Sequence, residues 1–284
     1  MRSDRIRTTG RDAAPRGRDV AAMARAGEEA ARETGRFLMD HLHRDFSVAL
    51  KGEINLVTEV DIAAEKLIVS RLTSAFPESV VLAEEMHSDA ARGAVTWIID
   101  PLDGTTNYAH RFPVFTVSIG LEVEGTIEWG IVYNPVLGEA FTARLGGGAF
   151  LNGAPICVSE TDSLGAGLLV TGFPYDIRTS AANNLNYFRA FALRAQGIRR
   201  TGSASLDFCY VAAGRFDGYW ELSLHPWDCA AGYLIVREAG GKVTDWHGNP
   251  GSVYDRECLA TNGRIHEEMM AVLQETAGLN PGSR

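Results

Sequence analysis

Six acidic residues stand where apolar runs begin or end: Asp61, Glu84, Glu85, Asp100, Asp103 and Asp228. The stretch Trp97-Ile98-Ile99-Asp100-Pro101-Leu102-Asp103-Gly104-Thr105-Thr106-Asn107 concentrates the motif. Val95 and Trp97 to Ile99 read as a buried strand, and two carboxylates, a glycine and two hydroxyl residues follow at its end. Carboxylates at a strand end hold hard cations such as Mg²⁺ through oxygen, and the amides of Gly104 and Thr105, where they open a helix, point at an anion. Alone, the stretch is also readable as an oxygen-rich turn after an edge strand. The number of acids favours chemistry: carboxylates gathered in one place repel unless cations offset them. An oxygen-only set implies two or more Mg²⁺ rather than zinc, which draws His or Cys. Two of the acids have a plainer reading as caps, because Thr58 as N-cap puts Asp61 at the third helical position and Asp228 stands at a helix start after Trp227.

Other chemistries fit less well. Cys209 to Arg215 satisfies C-x5-R, but Leu206, Cys209, Tyr210 and Ala213 lie on one helical face, where a buried thiol is inert. Asp100 and Asp103 are one residue too far apart for D-x-D. Among the histidines, His41 and His43 come nearest to ligand spacing, yet residues two apart on a helix do not share a face. Gly146-Gly147-Gly148 precedes no helix and reads as a turn rather than a phosphate loop.

Positioning the acids takes a mixed α/β chain. Residues 20–46 carry Ala26, Ala30, Thr34, Phe37, Leu38 and Leu42 at helical spacing. Lys51-Gly52-Glu53 reads as a polar loop, and residues 55–61 lead into a second helix carrying Ile62, Ile68, Val69, Leu72 and Phe76. Val80–Ala83 is a short strand that ends in Glu84-Glu85. Residues 114–158 alternate and turn as an antiparallel meander. Strands then alternate with helices: strands at 168–171, 198–201, 219–222, 242–246 and 258–261, helices at 181–195, from Ser203, at 227–239 and at 265–277. Gly240-Gly241 stops the third of these helices. The expected division is a flexible Arg-rich tail over 1–19, an N-terminal helix-plus-antiparallel-sheet lobe over 20–160, a C-terminal mixed α/β lobe over 161–278, and a short tail over 279–284.

With 284 residues, 45% of them hydrophobic and a net charge of −9, the chain can bury a deep core and lacks the excess of Lys and Arg that a nucleic-acid or anionic-membrane surface needs. The four scattered cysteines, with no C-x-x-C, read as thiols of a reducing cytoplasm. No run of 18 apolar residues and no N-terminal apolar h-region occurs, so neither a membrane span nor a secretory signal is expected.

Three blocks in combination resemble the inositol monophosphatase family of Mg²⁺-dependent, lithium-sensitive phosphatases. They are Asn55-Leu56-Val57-Thr58-Glu59-Val60-Asp61, the central stretch from Trp97, and Pro226-Trp227-Asp228-Cys229-Ala230-Ala231-Gly232 running on to Glu238-Ala239-Gly240-Gly241. The resemblance implies a layered αβαβα sandwich and a homodimer. It implies that Glu84, Asp100 and the carbonyl of Leu102 bind one Mg²⁺, that Asp100, Asp103 and Asp228 bind a second, and that Glu84 helps hold a weaker third. Gly104 and Thr105 would cradle phosphate, while Asp61 with Thr105 would orient and deprotonate the attacking water, with no phosphoenzyme. Paired metals about 4 Å apart acidify a bound water and steady entering and leaving oxygens. Glu85 and Lys51 fall at positions near the metals rather than on them. Ala204 and Glu221, together with Asp103 and Asp228, match positions that contact the leaving group.

The substrate implied is inositol 1-phosphate. Histidinol phosphate, fructose 1,6-bisphosphate or a 3′-phosphonucleotide would use the same machinery, since selectivity depends on pocket shape around Ala204 and Glu221. Some bacterial members also act on the transcription machinery, a role for which this acidic sequence shows no RNA surface.

Overall fold

Helical spacing of apolar residues makes the first element, α1 (Arg16–His41), which buries Val20, Met23, Ala30, Ala31 and Leu38. The computed structural model describes residues 16–44, 47–50, 56–86 and 92–278. The helix thus begins ahead of the expected tail boundary and ends at His41 rather than near 46, while residues 1–15 and 279–284, read as tails, lie outside the described residues. Lys51 lies outside them too. β1 (Val48–Leu50) and β2 (Leu56–Thr58) pair antiparallel where the sequence suggested only a loop and a lead into a helix.

Thr58 then caps α2 (Glu59–Ala75). β3 (Val80–Ala83) pairs parallel to β4 (Val95–Asp103), which is followed directly by the five-residue α3 (Thr105–Ala109). The expected meander is present as β5 (Thr116–Val123), β6 (Thr126–Asn134), β7 (Glu139–Arg144), β8 (Gly148–Leu151) and β9 (Ala154–Pro155), giving one seven-stranded sheet in the order β3 to β9. Gly146-Gly147-Gly148 forms the β7–β8 turn. The amides of Gly146 and Gly148 donate to the two oxygens of Glu238, each at 2.8 Å, so a carboxylate of the chain itself fills that small nest.

The second half runs β10 (Leu168–Thr171), α4 (Leu185–Ala192), β11 (Gly197–Arg199), α5 (Ala204–Ala212), β12 (Gly218–Leu222), α6 (Pro226–Glu238), β13 (Lys242–Thr244), β14 (Glu257–Thr261) and α7 (His266–Gly278). Its five strands form a mixed sheet in the order β11-β10-β12-β14-β13.

Each sheet is apolar on both faces and needs cover on both. α1 and α2 cover one face of the seven-stranded sheet through a core containing Leu38, Ile68, Trp97, Ile99 and Ile119. α5 and α6 fill the space between the two sheets, packing Phe208, Cys209, Trp227 and Ile235 against Ile98, Val132 and Phe141 on one side and Tyr219, Val243 and Ala260 on the other. α4 and α7 cover the outer face of the smaller sheet around Phe191, Trp220 and Leu273. The result is five layers, α-β-α-β-α. The middle core crosses the 160/161 division expected from sequence, since residues on both sides of it share one apolar cluster. Cys209 and its helical neighbours are buried and Arg215 pairs with Glu139 at 2.5 Å, which removes the C-x5-R reading.

Candidate active site

Register brings the first two acids together. Ala83 of β3 pairs with Ile99 of β4, so Glu84 and Asp100 follow side by side at the ends of parallel strands. β4 continues past Asp100 to Asp103, beyond the strand end expected from sequence. A regular strand would point residues three apart to opposite faces. Here Asp100 pairs with Ser118 but Asp103 with Thr116, one extra residue on β4 that contains Pro101. That bulge returns Asp103 to the same side as Asp100, and proline is tolerated there because the ladder is already broken. Asp100 Oδ1 accepts the Leu102 amide at 2.9 Å.

Gly104 makes the corner into α3 with φ of +95°, and a Cβ on it would lie 2.9 Å from the Val114 carbonyl, so only glycine fits. Thr105 then lies with its hydroxyl 2.9 Å from Asp61 Oδ1 and 3.1 Å from the Leu102 carbonyl. Asp61 divides its carboxylate. Oδ2 accepts the Thr58 amide at 2.9 Å and the Thr58 hydroxyl, closing the capping box of α2, while Oδ1 faces Thr105. Capping α2 therefore occupies one oxygen of Asp61 and leaves the other turned toward Thr105. Asp228 repeats the device: it is the third residue of α6 and accepts the His225 amide at 2.7 Å, yet it also lines the cavity.

Glu84, Asp100, Leu102, Asp103, Gly104, Thr105, Ala204, Glu221 and Asp228, nine positions singled out from sequence, line one cavity of about 290 Å³, and Asp61 stands behind Thr105. Glu85 is not among the lining residues. Its backbone amide and that of Met86 donate to the two carboxylate oxygens of Glu65, at 2.6 and 2.9 Å, so Glu65 grips the turn that presents Glu84. Glu65 is fully buried and was missed in the sequence, although it lies one helical turn after Asp61 on α2. Ser205 and Asp207 were missed as well, whereas Ser203 belongs with Ala204 to the block Gly202-Ser203-Ala204 matched to leaving-group contacts. The Asp103 carboxylate accepts the amides of Ala204 and Ser205 and the hydroxyls of both serines. Asp207 accepts the Thr201 hydroxyl at 2.5 Å.

The electrostatics are those of a crowded acid pocket. Burial first, and then the charges of Glu84, Asp103 and Asp228, push the Asp100 carboxyl well above the usual range. Burial followed by Glu84 raises Asp228 in the same way. Burial raises Asp61 against the pull of its hydroxyl donors, and it holds Glu221 at about 7 although Tyr219 donates to it at 2.5 Å. Carboxylates forced to share a dry site favour a bound cation, which lowers the energy of every ionised member.

The donor set is carboxylate and carbonyl oxygen, the chemistry of Mg²⁺. Among the described residues no group of three His, Cys, Asp or Glu side chains stands as a ready-made ion site.

Comparison with known proteins finds relatives along most of the chain. The model of the inositol monophosphatase family matches residues 19–278. An inositol-1-monophosphatase of Synechocystis is 47% identical over 78% of this chain and 78% of its own length. The Nus factor SuhB of Pseudomonas aeruginosa is 43% identical over 86% of this chain and 93% of its own. The solved structure of an inositol monophosphatase from Anabaena superposes with a TM-score of 0.82 at 40% identity, covering 90% of this chain and 97% of that one. An acid-lined cavity at the ends of parallel strands, on a five-layer αβαβα frame matched along almost its whole length, places the chain in the inositol monophosphatase family of phosphatases.

Proposed function

We propose that this chain is a Mg²⁺-dependent phosphomonoesterase that hydrolyses inositol 1-phosphate to inositol and phosphate. The observation that carries the reading is the contact between Asp61 Oδ1 and the Thr105 hydroxyl, 2.9 Å long, at the wall of a cavity lined by Glu84, Asp100, Asp103 and Asp228. Those four carboxylates and the Leu102 carbonyl would hold two or three Mg²⁺ ions. Bound Mg²⁺ supplies an acidified water and positive charge for the phosphoryl oxygens.

The residues of the chain do the rest. With its hydroxyl proton directed at Asp61, Thr105 turns its lone pairs to the cavity and accepts a hydrogen bond from the attacking water. Asp61, its proton affinity raised by burial, takes up the proton that passes through Thr105. The water oxygen bonds to phosphorus as the bond to the inositol oxygen breaks, and that oxygen regains a proton from solvent. Gly104 and Thr105 would receive the phosphate, and Ala204 and Glu221 the inositol hydroxyls. Phosphate release from inositol 1-phosphate, histidinol phosphate, fructose 1,6-bisphosphate and a 3′-phosphonucleotide, measured side by side, tests the substrate: the highest kcat/KM should fall on inositol 1-phosphate.

The family likeness also supports a homodimer in the cytoplasm and sensitivity to lithium. Among the described residues no helix is long and apolar enough to cross a membrane. A second reading, association with the transcription machinery, is favoured by the relatives named Nus factor SuhB. Recovery of RNA polymerase on an Asp100→Asn bait as efficiently as on wild type would support it, and failure of both baits to recover polymerase would count against it.

A further inference from the structure

Asp103 differs from the other cavity acids in how it is held. Its Oδ2 accepts the Ser205 hydroxyl at 2.6 Å, the Ser203 hydroxyl at 2.7 Å and the Ser205 amide at 2.8 Å, with the Thr116 hydroxyl at 3.4 Å. Its Oδ1 takes one long contact, the Ala204 amide at 3.2 Å. The donors come from two elements. Thr116 is the β5 partner of Asp103 in the sheet, and Ser203 to Ser205 open α5. Thr116 and Ser205 are also joined to each other, hydroxyl to hydroxyl at 2.7 Å.

All three hydroxyl residues are essentially inaccessible to solvent, at 0% for Thr116 and Ser205 and 1% for Ser203, so water does not substitute for Asp103 as their partner. Ser205 is the informative one. A serine inside the first turn of a buried helix contributes nothing to packing that alanine would not, and its hydroxyl is spent on Asp103 and Thr116. Pinning one carboxylate oxygen from several directions fixes the plane of the group and thereby aims the other. Asp103 retains 8% of its surface, on the cavity it lines.

We propose that Ser205 is a positioning residue, acting with Ser203 and Thr116 as a clamp on Asp103 Oδ2 that reserves Oδ1 for a divalent cation. The proposal rests on the metal-dependent reading given above.

The test is calorimetric titration of metal-stripped protein with Mg²⁺. Outer partners of metal ligands typically change affinity by about 10- to 100-fold. Ser205→Ala should therefore weaken Mg²⁺ binding by about tenfold or more. Raised Mg²⁺ should restore kcat to Ser205→Ala, with KM for inositol 1-phosphate unaltered. Ser203→Ala, which deletes the other serine hydroxyl from the same oxygen, should weaken binding in the same direction. A Ser205→Ala isotherm equal to wild type, or tighter, would overturn the clamp while leaving the phosphatase reading intact. Failure of the wild type itself to take up Mg²⁺ would overturn both.

Discussion

Gly172→Ala is the substitution whose consequence follows most directly from the geometry. Gly172 follows β10, and a Cβ built on it would lie 2.1 and 2.2 Å from the two carboxylate oxygens of Glu221. Its φ is outside the left-handed region, so alanine meets no backbone strain there and the whole effect is steric. The Glu221 carboxylate has to retreat by about 1 Å to reach ordinary van der Waals contact, since 3.4 Å less 2.1 Å is 1.3 Å. Retreat breaks the 2.5 Å bond from the Tyr219 hydroxyl, and Tyr219 is fully buried. An unsatisfied buried hydroxyl costs about 1–3 kcal/mol, which lowers Tm by a few degrees in a chain of this size. If Glu221 reads the leaving-group hydroxyls, losing that contact weakens kcat/KM for inositol 1-phosphate by about 10- to 100-fold, chiefly through KM. Steady-state kinetics and a thermal melt on one preparation measure both effects. A lowered Tm with unchanged KM would show that Glu221 takes no part in binding, and no change in either would refute the steric reasoning.

Three further outcomes are expected. Glu65→Ala removes the carboxylate that holds the Glu85 and Met86 amides, so the Glu84 turn loosens and Mg²⁺ affinity falls by about tenfold; calorimetry that shows no change would mean the turn holds itself. Thr105→Val deletes the hydroxyl between Asp61 and the cavity and should lower kcat by about 100-fold or more in single-turnover assays, and wild-type kcat in this variant would remove Thr105 from the proton path. His266, fully buried between the hydroxyls of Thr244 and Thr261, is held down to about 4 by burial. Between the ordinary value of 6.5 and 4 the unfolded chain binds more protons than the folded one, so stability is full above 6.5 and falls as pH drops through this window, by about 3 kcal/mol; denaturant midpoints at pH 7 and 4 should show the fall in wild type and lack it in His266→Gln.

The parts legible in the sequence were those set by local pattern. Apolar spacing gave α1 and α2, alternation gave the β5 to β9 meander, and Asp61, Glu84, Asp100 and Asp228 stood out because each abuts a strand end or a helix start. What was not legible depends on contacts between distant segments. The bulge that turns Asp100 and Asp103 to one side is a register shift against β5, which the sequence of β4 does not announce. Glu65 reaches across 20 residues to the Glu85 amide, and Ser205 across 102 to Asp103. Gly172 is explained only by the carboxylate that crowds it. Asp61 and Asp228 show a limit of a different kind, because each caps a helix and also reaches the cavity, Asp61 through Thr105 and Asp228 in its lining, placements that pattern alone presents as rivals.

On the proposed mechanism the carboxylate cavity works by holding Mg²⁺. Phosphate release from inositol 1-phosphate, measured on EDTA-stripped protein as Mg²⁺ is added back, tests it most directly. The stripped protein should be inactive, activity should rise with bound Mg²⁺, and Asp100→Asn should stay inactive at every concentration. Stripped protein that hydrolyses the ester as fast as Mg²⁺-loaded protein would contradict the account.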